Sequence, residues 1–240
     1  MIVIMIGLTH LYGVEETQGL HVIISNLFWW TSVILVIIAY RNRSMWNVGE
    51  MPWYFLFLTF LFFGIRELGH LSSSPMVGAI RYIFGICSAI FMTSVFMFLY
   101  IKIYKRKTIS EQMNSIPFII TLIFPVLLAY LYFSGIGKED IKNIFFNMEN
   151  ILWITGSSIT IFTTYMLGTK STGSFVHFFM FFQLAAIFAL LWKFLGLIGS
   201  ISCPIPYSVR EIIETMFGVY AIMSIYVLEK MLRNLSNRIS

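Results

Sequence analysis

Trp53-Tyr-Phe-Leu-Phe-Leu-Thr-Phe-Leu-Phe-Phe63, followed by Gly64-Ile-Arg66-Glu67-Leu-Gly-His70, decides the fold. The first part is apolar apart from Thr59, and with the residues after it reaches the roughly 20 positions a helix needs to cross a bilayer. The last turn becomes ionisable without leaving the helical pattern. Charge in a segment that otherwise belongs in lipid is costly, so Arg66, Glu67 and His70 need partners or a task.

Runs of the same kind recur along the chain, over about 21–40, 53–70, 77–101, 118–135, 150–167, 175–196 and 209–228. Of the 240 residues, 58% are hydrophobic and 11% charged, against about 25% charged in soluble domains. The sequence therefore predicts an all-α integral membrane protein, a seven-transmembrane-helix bundle forming a single transmembrane domain over 1–240. Its place is the cell membrane, as a multi-pass protein. Residues 1–20 read as an interfacial segment or part of a longer first span, since 1–8 is short and lacks the basic start of a signal peptide.

The loops set the orientation. Arg41 and Arg43 follow span one, Lys102, Lys105, Arg106 and Lys107 follow span three, Lys170 follows span five, and Arg233 and Arg238 lie in the tail. These fall on one side of the membrane, which predicts the N-terminus outside and the C-terminus cytoplasmic. The basic loop 102–107 anchors that topology and offers a surface to anionic lipid or to a cytoplasmic partner. Residues 138–149 read as a mixed loop on the other side, with Glu149 counted in it. Membrane lipids are the expected partners, and nothing suggests nucleic acid.

At 1.5 Å per residue, Arg66, Glu67, His70, Arg81, Lys193, Arg210, Glu211 and Glu214 all fall within roughly 8 Å of the external boundary. Ser25, Asn26 and Asn150 join them there. Arg66 and His70, and Arg210 and Glu214, are four apart, while Glu67 and His70, and Glu211 and Glu214, are three apart, so each pair shares a helix face. Four basic groups against three acidic ones lean towards an anionic or zwitterionic ligand such as a phosphate headgroup. The plainer reading is that these residues snorkel at helix ends and that Arg66–Glu214 or Arg81–Glu67 pairs clamp the bundle.

A metal, if any, would use Glu67, His70, Glu211 and Glu214, with His10 and His21 on the same side. Only one Glu-x-x-His pair is present, however, where helical two-metal sites use two, and the arginines oppose a cation. Cys87 and Cys203 form no CxxC, so no disulfide scaffold or thiolate site is expected. Neither a phosphate loop, a nucleophile elbow nor a zinc-protease motif occurs. Span seven lacks the interior lysine a retinal Schiff base would require. No cofactor is expected.

Thr160, Thr163, Thr164 and Gln183 are milder polar groups of the inner half. The tryptophans Trp29, Trp30, Trp46, Trp53, Trp153 and Trp192 read as a belt at the membrane boundary. Gly78, Gly85 and Ser88 would let span three approach its neighbours closely. The leading expectation is a receptor-like or sensory protein that binds a small charged ligand or lipid headgroup in an outer-half polar cavity. The alternative is a small-solute or ion transporter or channel, with span four bent at Pro125 and a path past Thr160–Thr164 and Gln183. A metal-dependent intramembrane enzyme comes third.

Overall fold

A computed structural model describes residues 14–46, 48–201 and 207–239, with side chains over 22–46, 48–110, 112–199 and 209–238. Seven helices among these residues are long and apolar enough to cross a membrane. They are α1 (Val14–Arg41), α2 (Met51–Leu68), α3 (Pro75–Leu99), α4 (Glu111–Phe133), α5 (Lys138–Lys170), α6 (Ser174–Ile201) and α7 (Tyr207–Ile239). The protein is an all-α, multi-pass membrane bundle.

Six of the helices close a ring in the order α1, α2, α3, α5, α6, α7 and back to α1. The fourth helix stands outside it, resting on α3 and touching α5 at few points. In an apolar 18-residue stretch of α3, 72% of the residues are buried, against 17% in that of α4. Composition explains the contrast. Gly78, Ala79, Gly85, Ser88 and Ala89 are buried on α3, small enough for close helix approach. On α4, Ile119, Leu122, Ile123 and Val126 point outwards, where lipid satisfies them. Phe118 anchors this helix against Phe55 and Phe91, with ring centroids 5.6 and 5.3 Å away.

Large aromatic rings fill the middle of the ring of helices. Trp29 lies 4.1 Å from Phe63 and 4.9 Å from Phe217, and Trp153 lies 5.5 and 5.3 Å from the same two rings. Trp192 completes the set at 6.1 Å from Phe63. Trp29, Trp53, Trp153 and Trp192 are thus buried core residues, not the boundary belt the sequence suggested. Six helices arranged around a centre leave a space that only large side chains fill at protein density. The indole N–H groups then need internal acceptors: Trp29 donates to Ser25 Oγ at 3.0 Å and Trp153 to the Gly85 carbonyl at 2.9 Å.

Helix α5 differs most from expectation, beginning at Lys138 and not at Asn150. Gly135, at φ +78°, reverses the chain after α4. Glu139 and Asp140 then occupy the first turn, where acidic residues complement the helix dipole. Residues 138–149 are therefore helical, and Glu149 is carried inside the bundle.

Candidate functional site

The charged end of the bundle is organised by Arg66, in the last turn of α2. Its Nε donates to Glu149 Oε1 on α5 at 2.6 Å, and its Nη1 donates to Glu214 Oε1 on α7 at 3.3 Å and to the adjacent Glu67 Oε1. Glu149 receives a second cation through Oε2, the Lys193 ammonium of α6 at 2.7 Å. One guanidinium and one ammonium therefore tie α2, α5, α6 and α7 together. Arg66, Glu67, Glu149, Lys193 and Glu214 are all buried.

Beneath these charges lies the aromatic core. The Arg66 guanidinium carbon sits 5.1 Å from the Phe63 ring and 4.8 Å from Trp192, and the Lys193 ammonium 3.8 Å from Trp192. The π faces add attraction that a purely aliphatic floor would not supply. Two glycines make the space. A Cβ on Gly85 would overlap Glu149 Oε1, and one on Gly69 would meet the Arg81 stem at 2.8 Å.

Arg81 and His70 extend the set towards the rim. Arg81 Nη1 lies 3.0 Å from His70 Nδ1, and its Nη2 donates to the Tyr82 hydroxyl at 2.8 Å. An arginine only donates, so His70 Nδ1 accepts and the neutral ring carries its proton on Nε2. That nitrogen faces Glu67 Oε2 at 3.9 Å. The imidazole thus lies between Arg81 and Glu67.

Arg210 approaches from α7, its Nη2 lying 3.4 Å from where a Cβ on Gly196 would stand, with Asn150 Oδ1 3.7 Å from the same point. Asn150 is buried, and its Nδ2 has no hydrogen-bond partner among the described residues. Glu211 is buried at the same end. His10 and the side chain of His21 lie outside the described residues. Among the described residues, no three His, Cys, Asp or Glu side chains group as metal ligands would. Between Glu67 and Glu214 stands the Arg66 guanidinium, where a bridging cation would have to be.

Sequence reasoning missed Glu149 because it was assigned to a loop. A signal was present: Phe145, Glu149 and Trp153 are spaced four apart, so one helical face runs through the acid without a break. Including it changes the charge balance. Arg66, Arg81, Lys193 and Arg210 are matched in number by Glu67, Glu149, Glu211 and Glu214, and the lean towards an anion disappears.

The chain matches no family model, no curated protein and no solved structure.

Farther along α5 from the charges, the Thr163 and Thr164 hydroxyls donate to carbonyls of their own helix. Ser157 and Thr160 are buried, and their hydroxyls have no partner among the described residues. Trp153 and its neighbours lie between these hydroxyls and the ionic network.

Proposed function

We propose that the protein is a receptor-like or sensory membrane protein, and that its ligand is small and carries charges of both signs, as an amino acid or a zwitterionic lipid headgroup does. The observation that carries this reading is the Arg66 network itself. Charges of both signs from four helices, Arg66 and Lys193 against Glu67, Glu149 and Glu214, meet in a buried knot resting on Trp29, Phe63, Trp153, Trp192 and Phe217. A buried ion pair is worth little as a stabiliser compared with apolar packing, yet costs several kcal/mol when one member is removed. Such a knot is suited to exchanging partners: a ligand ammonium takes over a glutamate while its anionic group takes over Arg66 or Lys193. The helices those groups belong to then shift relative to one another.

The aromatic floor favours sensing over conduction, because it separates the charges from the inner hydroxyls among the described residues. The excess of Lys and Arg at the opposite end of the bundle supports an outward-facing network, with the N-terminus outside and the C-terminus cytoplasmic.

The test is a thermal-shift series on the full chain in lipid nanodiscs, with glycine, phosphorylcholine and inorganic phosphate as probes. A zwitterion is expected to raise the melting temperature of the native protein and to leave Glu149→Gln unmoved. Inorganic phosphate alone producing the larger shift, or equal shifts in native protein and variant, would overturn the assignment.

A further inference from the structure

A polar hollow lies at the other end of the bundle, where α3 leads into α4. It encloses about 520 Å³ and is lined by Lys102, Arg106 and Lys107. The fourth basic residue of this segment, Lys105, is turned away onto the Tyr100 and Tyr104 rings, 5.6 and 5.8 Å from their centroids. Among the described residues, none of the three lining cations has a carboxylate in ion-pair range. Among the described residues the one lining carboxylate, Glu50, is taken by Arg43 at 3.5 Å and by the Tyr40 hydroxyl at 3.4 Å. Lys102 folds over Gly49, its ammonium 3.1 Å from where a Cβ would stand. Three cations with no counter-charge among the described residues, around a space of this size, call for an anion.

The rest of the wall is mixed, with Thr108 and Asn114 beside the apolar Val48, Pro52, Phe98 and Ile109. Phe98 also lines a second hollow of about 320 Å³, between α3, α4 and α5. That crevice exists because α4 rests so lightly on the ring. It is faced by Ile90, Met97, Ile116, Ile120, Leu152 and Ile159. Its three hydroxyl residues are neutralised by their own helices: Thr93 donates to Ala89, Ser94 to Ile90 and Thr155 to Ile151, at 2.8, 2.8 and 2.9 Å. Along α3 and the helical turn that follows it, the crevice runs from Ile101 back to Ala89, about 18 Å of helix. One leaflet of a bilayer's hydrocarbon core is roughly 15 Å deep.

A cationic cup at a helix end, opening beside Phe98 onto an apolar slot one leaflet long, has the shape and chemistry of a whole phospholipid. We propose that a phospholipid with an anionic headgroup seats here, its phosphate among Lys102, Arg106 and Lys107 and one acyl chain between α3, α4 and α5. The lipid fills the gap that α4 leaves and fastens this helix to the ring. The site is remote from the Arg66 network and stands independently of the function proposed for it.

The full chain, reconstituted in phosphatidylcholine vesicles with or without phosphatidylglycerol, tests this directly. Lipid retained through detergent extraction is counted by mass spectrometry. Phosphatidylglycerol is expected to be enriched on the native protein. Lys102→Ala, Arg106→Ala and Lys107→Ala combined should lower that enrichment by about a hundredfold, since each cation near an anionic surface contributes about fivefold. All three side chains are exposed, so the variant keeps its fold, which circular dichroism verifies. Ser94→Phe, which crowds the slot and leaves the cup intact, should also reduce retention.

Undiminished phosphatidylglycerol in the triple variant overturns the headgroup assignment, and undiminished retention in Ser94→Phe overturns the placement of the chain. Displacement of the lipid by an equal concentration of glycerol 3-phosphate would show that the cup takes a free phosphate compound, and would overturn the lipid as its occupant.

Discussion

The backbone of Gly85 on α3 and the carboxylate of Glu149 on α5 share one space. A Cβ at residue 85 would overlap Glu149 Oε1 and stand 3.1 Å from Arg66 Cδ. Replacing a glycine inside a helix by alanine ordinarily gains up to about 1 kcal/mol. Here the added methyl would push a buried anion off its two cations, and breaking such a pair costs about 3–5 kcal/mol. Gly85→Ala is therefore expected to destabilise by about 3 kcal/mol. Gly168→Ala on the same pair of helices is the control, because no atom approaches its Cβ position within 4 Å, and it should be neutral or stabilising. Reversible unfolding in mixed micelles compares the two, and equal effects would contradict the packing described.

Arg66 engages Glu149 through Nε and Glu214 through Nη1, a division that depends on a planar, multi-donor group. A lysine is a single point donor on a flexible stem. Arg66→Ala should cost about 3–5 kcal/mol, and Arg66→Lys should recover less than half of that. Full recovery by lysine, measured by the same unfolding assay, would mean that charge alone holds the four helices together.

Glu149 and Lys193 meet at 2.7 Å inside the bundle. In a double-mutant cycle with Glu149→Gln and Lys193→Met, the two changes should fall short of additivity by about 1–3 kcal/mol, as expected for contacting members of one network. An additive cycle would show that Glu149 is held by Arg66 alone.

The number of helices and the end at which charge collects could be read directly, because a span's length and the cost of charge in lipid follow from composition. Which charges meet could not. Arg66, Glu67 and Glu214 lie near helix ends and were visible as such, whereas Glu149 became legible only with the true start of α5. The mixed charges of 138–142 resemble a loop, yet Glu139, Asp140 and the Glu139–Lys142 pair at 3.1 Å form the opening of a helix. The tryptophans were misplaced for a related reason. Position along a span says how deep a ring lies, but not whether it faces lipid or the centre, and that depends on how many helices close the ring.

The position of α4 outside the ring yields the last prediction. Leu122 and Val126 are 65% and 69% exposed, and in a bilayer that exposure is to hydrocarbon. Shortening them exchanges one apolar surroundings for another, so Leu122→Ala and Val126→Ala should each change stability by less than about 0.5 kcal/mol. Phe55, by contrast, is fully buried between Phe91, Phe98 and Phe118, and Phe55→Ala should cost about 3–5 kcal/mol. Both follow from urea- or detergent-driven unfolding of the purified protein. A cost for Leu122→Ala approaching that of Phe55→Ala would place another protein surface, a second copy or a partner, against this face of α4. The helix would then belong to an interface and not to the lipid boundary.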